Sequence, residues 1–298
     1  MSPGGFMAMR KLPMRTLRTC GALAALLGLS AAAPAPQQVD VKLVLAVDVS
    51  PSIDDREFAV EREGTAAAFM DPQVVQAIQN GSLGRIAVAL VHFSSAQFNR
   101  VIVNWTIIRD RASAQAFATA VRNAPRTPGR RTSISSALEI SSLLLESSEK
   151  DITATRRVID VTGDGPNNAG DSMTMAHDKT IAQGIVVNGL PVMDDMANGY
   201  FADLDKYYAG CVTGGRGAFV IVVKSYREYS AAMRRKLILE ISDNGTSVKQ
   251  ALANPLLKPV AATPAQPPSP VQVLPSRPNE YSSNCDIPFG GFGGFRRF

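Results

Sequence analysis

Three short stretches of the 298-residue chain hold side chains whose types and spacing can do chemistry. The first is D-V-S-P-S, Asp48 to Ser52, directly after the apolar run Leu43 to Val47. The second is G-R-R-T-S-I, with Thr132 just ahead of a helical pattern. The third is D-V-T-G-D-G-P-N-N, with Asp164 just past another apolar run. Together they offer two carboxylates and three hydroxyls, with no His or Cys. That is a hard-cation set, suited to Mg²⁺ or Mn²⁺ at ~2.0–2.1 Å rather than to Zn²⁺. Alternation along the first stretch lets Asp48, Ser50 and Ser52 turn to one side while Val49 packs behind. With few direct charges around it, such an ion stays electrophilic, holds waters and keeps one position open.

The elements that must position these residues follow from hydrophobic period. Val41–Val47, 85–93, 98–108, 156–163, 185–192 and 217–224 read as strands. Helical patterns cover a run opening at Asp54 and Asp55, a short run after Asp71, and 110–124, 133–148, 172–184, 201–212 and 226–242. Acids in the first turn of the first helix suit its dipole. Strands alternating with helices predict a doubly wound α/β fold with a mostly parallel six-stranded sheet and one antiparallel edge strand. Sites in such sheets lie at the carboxyl ends of the strands, which is where Asp48 falls.

The three stretches resemble the metal-ion-dependent adhesion site of von Willebrand factor A domains. The likeness rests on D-x-S-x-S after the first strand, a Thr before a helix about 80 residues on, and an Asp after the fourth strand. It covers roughly residues 40–243, and A-L-V-H-F-S-S after the second strand is similar too. The leader and G-D-G-P-N-N are most similar to a secreted bacterial branch of that family. The resemblance implies a Rossmann-like fold, with Ser50, Ser52 and Thr132 as hydroxyl ligands of Mg²⁺ or Mn²⁺. It places Asp48 and Asp164 on the metal directly or through water, and lets a partner's Glu or Asp complete the shell. The implied function is cation-dependent protein binding, not catalysis.

One departure bears on the site. The family pattern is T-D-G, whereas this chain has T-G-D-G, and the extra Gly163 shifts Asp164 by one residue unless a bulge at Thr162–Gly163 restores its aim. Asp160 cannot substitute, because it lies inside the strand. The same loop resembles the magnesium loop of haloacid-dehalogenase-type phosphotransferases, with Asp48 as nucleophile. Against that alternative, Asn168 stands where an acid is expected and Thr132 has no role. No lysine is clearly placed for phosphate, with Lys150 and Lys179 as candidates. A third alternative is a metal-free structural module in which the serines cap the next helix.

The first 35 residues read as a signal peptide: a basic start, an apolar run from Gly21 to Leu29, and small residues at Ala31 and Ala33. The run is shorter than the ~20 residues of a membrane span. The expected location is secreted, to the periplasm, with no transmembrane segment in the mature chain. Removing the leader's Arg10, Lys11, Arg15 and Arg18 from 31 basic residues leaves 27 against 26 acids. Charge therefore gives no case for nucleic-acid binding. The expected organisation is a leader over 1–35, a domain over 40–253 and a tail over 254–298. Eight prolines between Pro255 and Pro278 make that tail an extended, disordered linker. Cys211 and Cys285 either pair or remain two thiols. His92 and His177 read as structural. Asp194 and Asp195 border the metal mouth or form a solvated turn. F-G-G-F-G-G-F, 289–295, is a contact tail or low-complexity sequence.

Overall fold

The computed structural model describes residues 35–127, 129–193, 203–242, 272–275 and 285–286, all but Ala35 in the compact unit Pro36–Phe298. In chain order the elements are β1 (Gln37–Asp48), α1 (Asp55–Met70), α2 (Pro72–Gln79), β2 (Ile86–Phe93), β3 (Asn99–Ile108), α3 (Arg111–Arg122) and α4 (Ile134–Ser147). They continue with β4 (Ile152–Gly163), α5 (Met173–Ala182), β5 (Val186–Pro191), α6 (Leu204–Tyr207), β6 (Phe219–Val222), α7 (Tyr229–Ser242) and β7 (Gln272–Pro275). The sheet order is β3-β2-β1-β4-β5-β6-β7. Pairings at β2–β3 and β6–β7 are antiparallel and the rest are parallel.

This is the doubly wound fold expected of the sequence, with two differences. Among the described residues there are seven strands, not six, and both edges of the sheet are antiparallel, not one. The seventh strand, Gln272–Pro275, lies inside the stretch expected to be a disordered tail. Proline suits an outer strand, where a missing N–H breaks no inner ladder.

Alternation along the strands builds two cores. Leu43, Leu45 and Val47 of β1 join Ile86, Val88 and Leu90 of β2 under α1, α2, α3 and α7. Val44 and Ala46 join Ile159 and Val161 of β4 under α4, α5 and α6. β1 is therefore buried on both faces, as its unbroken apolar run requires. The strand order reverses at β1, between β2 and β4. A doubly wound sheet opens its crevice at such a point, beyond the carboxyl ends of the strands.

The expected helix over 201–212 is α6 followed by a wider π turn, Tyr208–Val212. Tyr208 packs close to Gly189 of β5, where a Cβ would meet its ring at 2.7 Å. Cys211 forms a disulfide with Cys285, across a sequence separation of 74. The pairing left open by the sequence is thus settled, and a second piece of the expected tail belongs to the core.

Candidate metal centre

β1 and β4 run in register with Val47 opposite Thr162, so Asp48 ends its strand beside Gly163 and Asp164 follows one step beyond. Asp48 is fully buried. One carboxylate oxygen accepts from the Ser50 amide at 2.7 Å, which curls the D-V-S-P-S loop back on itself. The other, Oδ2, is buried without a hydrogen-bond partner. Ser50 and Ser52 hydroxyls lie 2.9 Å apart, and Ser52 donates to Asp164 Oδ1 at 2.9 Å. Neither serine caps α1. That cap is Asp54, in a reciprocal box with Glu57.

Despite the extra glycine, Asp164 meets the first loop through Ser52. No bulge forms: β4 holds its register with β1 through Thr162 and with β5 through Gly163. Gly163 is instead the strand's last residue, where a Cβ would lie 3.1 Å from Asp48 Cβ and 3.0 Å from the Tyr208 hydroxyl. A larger residue here would press on both, and Asp48 or Tyr208 would have to give by a few tenths of an ångström.

Thr132 is buried, one residue ahead of Ser133, the N-cap of α4. Its amide donates to Asn168 Oδ1 at 2.9 Å, and its carbonyl accepts from the Asn168 amide at 2.8 Å. Asn167 Oδ1 accepts from the Ser135 amide at 3.0 Å. The two asparagines therefore brace the second loop against the third. The Thr132 hydroxyl is near enough to Asp48 to favour its charged form. All five residues singled out in the sequence thus converge on one crevice.

Two further residues shape it. Glu61, on α1, is buried with both carboxylate oxygens unpartnered. It shares helix spacing with Phe58 and Thr65 on the inward stripe, a pattern that could have flagged it. Arg126 reaches the first loop, where its guanidinium donates to Asp55 and to the carbonyls of Ser50 and Ile53. No local pattern marks Arg126, because its partners lie over 70 residues away.

The electrostatics are those of crowded acids. Burial, then the Asp164 charge, pushes the Asp48 carboxyl up to about 8. Burial also raises Asp164, against the Ser52 hydrogen bond. Glu61 is held well above the carboxylate range by burial, then by Asp164 and Asp48. The Tyr208 hydroxyl is buried, unpartnered and raised by burial and then by Asp48. Among the described residues no three of His, Cys, Asp or Glu gather to hold a metal. A cation here must be held largely by hydroxyls, and the donor set fits one. All donors are oxygens, two acids repel each other across the crevice, and one Asp48 oxygen lacks any partner.

Other expected features lie elsewhere. His92 is buried edge-on to Phe58, and burial lowers it to about 4. His177 is held by Asp178 and the Thr213 carbonyl. Lys179 lies 3.6 Å from Glu139, and Lys150 sits in the turn before β4, at the opposite end of the sheet. Asp160 meets Lys236 in the core under α7. Asp194, Asp195, the leader and the 289–295 run lie outside the described residues. No helix among the described residues is long and apolar enough to cross a membrane.

A family described as "Protein of unknown function (DUF1194)" matches residues 38–245. No curated protein matches the chain. Among solved structures it is similar to the pilus adhesin SpaC from Lactobacillus rhamnosus GG, in an open conformation. The identity is 18% and the TM-score 0.50, with 69% of this chain and 31% of the adhesin covered. It is also similar to proximal thread matrix protein 1 from the mussel byssus, whose structure has a zinc-occupied MIDAS motif. There the identity is 16% and the TM-score 0.49, covering 70% of this chain and 49% of that one. A von Willebrand factor type A structure from Catenulispora acidiphila is 12% identical, with a TM-score of 0.45 over 69% of this chain and 43% of its own. The chain thus spans about half the length of the byssus protein and about a third of the adhesin. At these identities the likeness is one of fold.

Proposed function

The chain belongs to the family described as "Protein of unknown function (DUF1194)", and we propose that it is a divalent-cation-dependent protein-binding module. The observation that carries this reading is the all-oxygen crevice with a buried, unpartnered Asp48 Oδ2 at its centre. Ser50, Ser52 and Thr132 would hold Mg²⁺ or Mn²⁺ through their hydroxyls, with Asp48 and Asp164 acting behind waters. Bound there, the ion supplies a positive centre with an open position for a carboxylate.

The chain's own residues set the selectivity. Asp48 fixes the first loop through the Ser50 amide, and Arg126 ties down the same loop's carbonyls. Asn167 and Asn168 lock Thr132 in place. With Asp48 and Asp164 behind waters, no carboxylate of the chain bonds the ion directly, so it stays electrophilic and favours an anionic partner. A Glu or Asp side chain of a protein ligand fits. The leader-like sequence and the Cys211–Cys285 disulfide support export to an oxidising compartment, the periplasm or outside the cell.

Phosphoryl transfer gains no support. Asn168 braces Thr132, and neither Lys150 nor Lys179 approaches Asp48. The capping alternative is weakened by Asp54, which performs that role. Isothermal titration of Mg²⁺ and Mn²⁺ into the oxidised mature chain tests the proposal. One site is expected, weakened at least about tenfold by Ser50→Ala and by Asp164→Ala. Unchanged affinity in both variants would reject the assignment, and stable phosphoryl label on Asp48 would favour the enzyme.

A further inference from the structure

α4 and α5 both leave the carboxyl edge of the sheet, and a groove of about 660 Å³ runs between them. Four large apolar side chains are exposed among the described residues, and the two most exposed, Met175 at 73% and Leu143 at 54%, both line this groove. So do three acids, Glu139, Glu146 and Asp171. The one cation in the lining, Lys179, lies near Glu139. Together these make a small apolar floor with an acidic border. Its natural occupant is apolar, basic and free of acid.

The chain delivers such a segment to the mouth of the groove. Cys285 is fixed by its disulfide, and its carbonyl accepts from the Tyr207 hydroxyl at 3.3 Å. Asp286 then caps α5, accepting from the Ser172 hydroxyl at 2.8 Å and the Met173 amide at 2.6 Å. Ser172 itself lines the groove. Asp286 therefore ends at the mouth of the groove. The sequence from there, I-P-F-G-G-F-G-G-F-R-R-F, holds four phenylalanines, two arginines and no acid.

We propose that residues 287–298 dock in the α4–α5 groove of their own chain. Phe289 and Phe292 meet Met175 and Leu143, and Arg296 and Arg297 meet Glu146 at the far end. Length allows it. α5 has 10 residues, roughly 15 Å at helical rise. Twelve extended residues reach roughly 40 Å. Thioether–aromatic contacts favour Met175 as a phenylalanine partner. Tethering at residue 286 makes the encounter intramolecular, so weak contacts suffice. The glycine pairs let the backbone follow the groove while the phenylalanines face inward. This contact is independent of any cation at the crevice.

Limited chymotrypsin digestion of the oxidised mature chain tests it, with cleavage after Phe289, Phe292 and Phe295 followed by mass spectrometry. The paired variant Leu143→Asp, Met175→Asp changes exposed side chains only, and circular dichroism checks that it folds. Cleavage at these phenylalanines is expected to rise about tenfold in this variant, because protection tracks the docked population. The Glu139→Lys, Glu146→Lys variant is expected to rise as well. Equal cleavage rates in wild type and both variants would overturn the proposal. Protection that grows with protein concentration, together with a dimer in gel filtration, would overturn it in favour of a neighbouring copy's tail.

Discussion

Two groups of buried acids sit on this sheet, and the protein treats them differently. Under α7, Asp160 and Glu240 share Lys236, whose amino group lies 2.7 Å from Asp160 and also bonds Glu240. Asn188 donates to Glu240 at 2.9 Å and fixes it further. At the crevice, Asp48, Asp164 and Glu61 repel one another, and the charge that raises Asp48 after burial is another acid. Arg126 is the nearby cation, and it is aimed at Asp55 and at loop carbonyls. Where acids serve the fold, the chain brings its own cation. Where it does not, a cation from solution would meet the need.

The largest expected contrast is in stability. Lys236→Met leaves two core acids without their counter-ion, and should cost about 3–5 kcal/mol in denaturant unfolding. Asp164→Asn removes a repulsion and should leave the cation-free protein as stable or more stable, by up to about 1 kcal/mol. Equal destabilisation by both changes would erase the distinction between the two groups.

The α7 cluster also predicts a pH dependence. Burial raises the Asp160 carboxyl to about 7, with Lys236 pulling it down and Glu240 pushing it up. The folded state then binds its proton more tightly than the unfolded chain does. The stability Asp160 contributes is complete below about 4 and is lost as pH rises through about 7. Asp160→Asn should flatten that slope relative to wild type, read as melting temperature at each pH. An unchanged slope in the variant would mean that Asp160 is ionised in the folded protein across that range.

Cation binding sharpens the crevice side. At a hundredfold excess over its dissociation constant, a cation should stabilise the wild type by about 2.7 kcal/mol. The Ser50→Ala variant should lose most of that gain, while Lys236→Met should keep it. Arg126→Ala, which frees the Ser50 and Ile53 carbonyls, should weaken cation binding several-fold, about 1 kcal/mol by titration. Full affinity in that variant would show that the loop holds its shape unaided.

Much of this was legible because it is local. Apolar runs ending in acids marked the strand ends, and three oxygen-bearing loops mapped to one sheet edge. The effect of Gly163 was not legible, because it depends on how near Asp48 and Tyr208 approach. Glu61 hid among the charges of E-R-E-G, though its spacing from Phe58 and Thr65 carried the signal. β7 was missed because Q-V-L-P lies in a proline-rich run that also suits an extended linker. Pairing with β6 made it a strand. Asn168 was read as standing where a catalytic acid is expected, but its bond to Thr132 needed the fold.

The Cys211–Cys285 bond closes a covalent ring around everything between those residues. That ring contains Lys249, followed by Gln250, as a target for a trypsin-like protease, whereas Lys258 and Arg277 each precede a proline and resist such a cut. A cut after Lys249 opens the ring without releasing a piece. The nicked molecule would migrate as one species until reduced, with β7 still held to the domain.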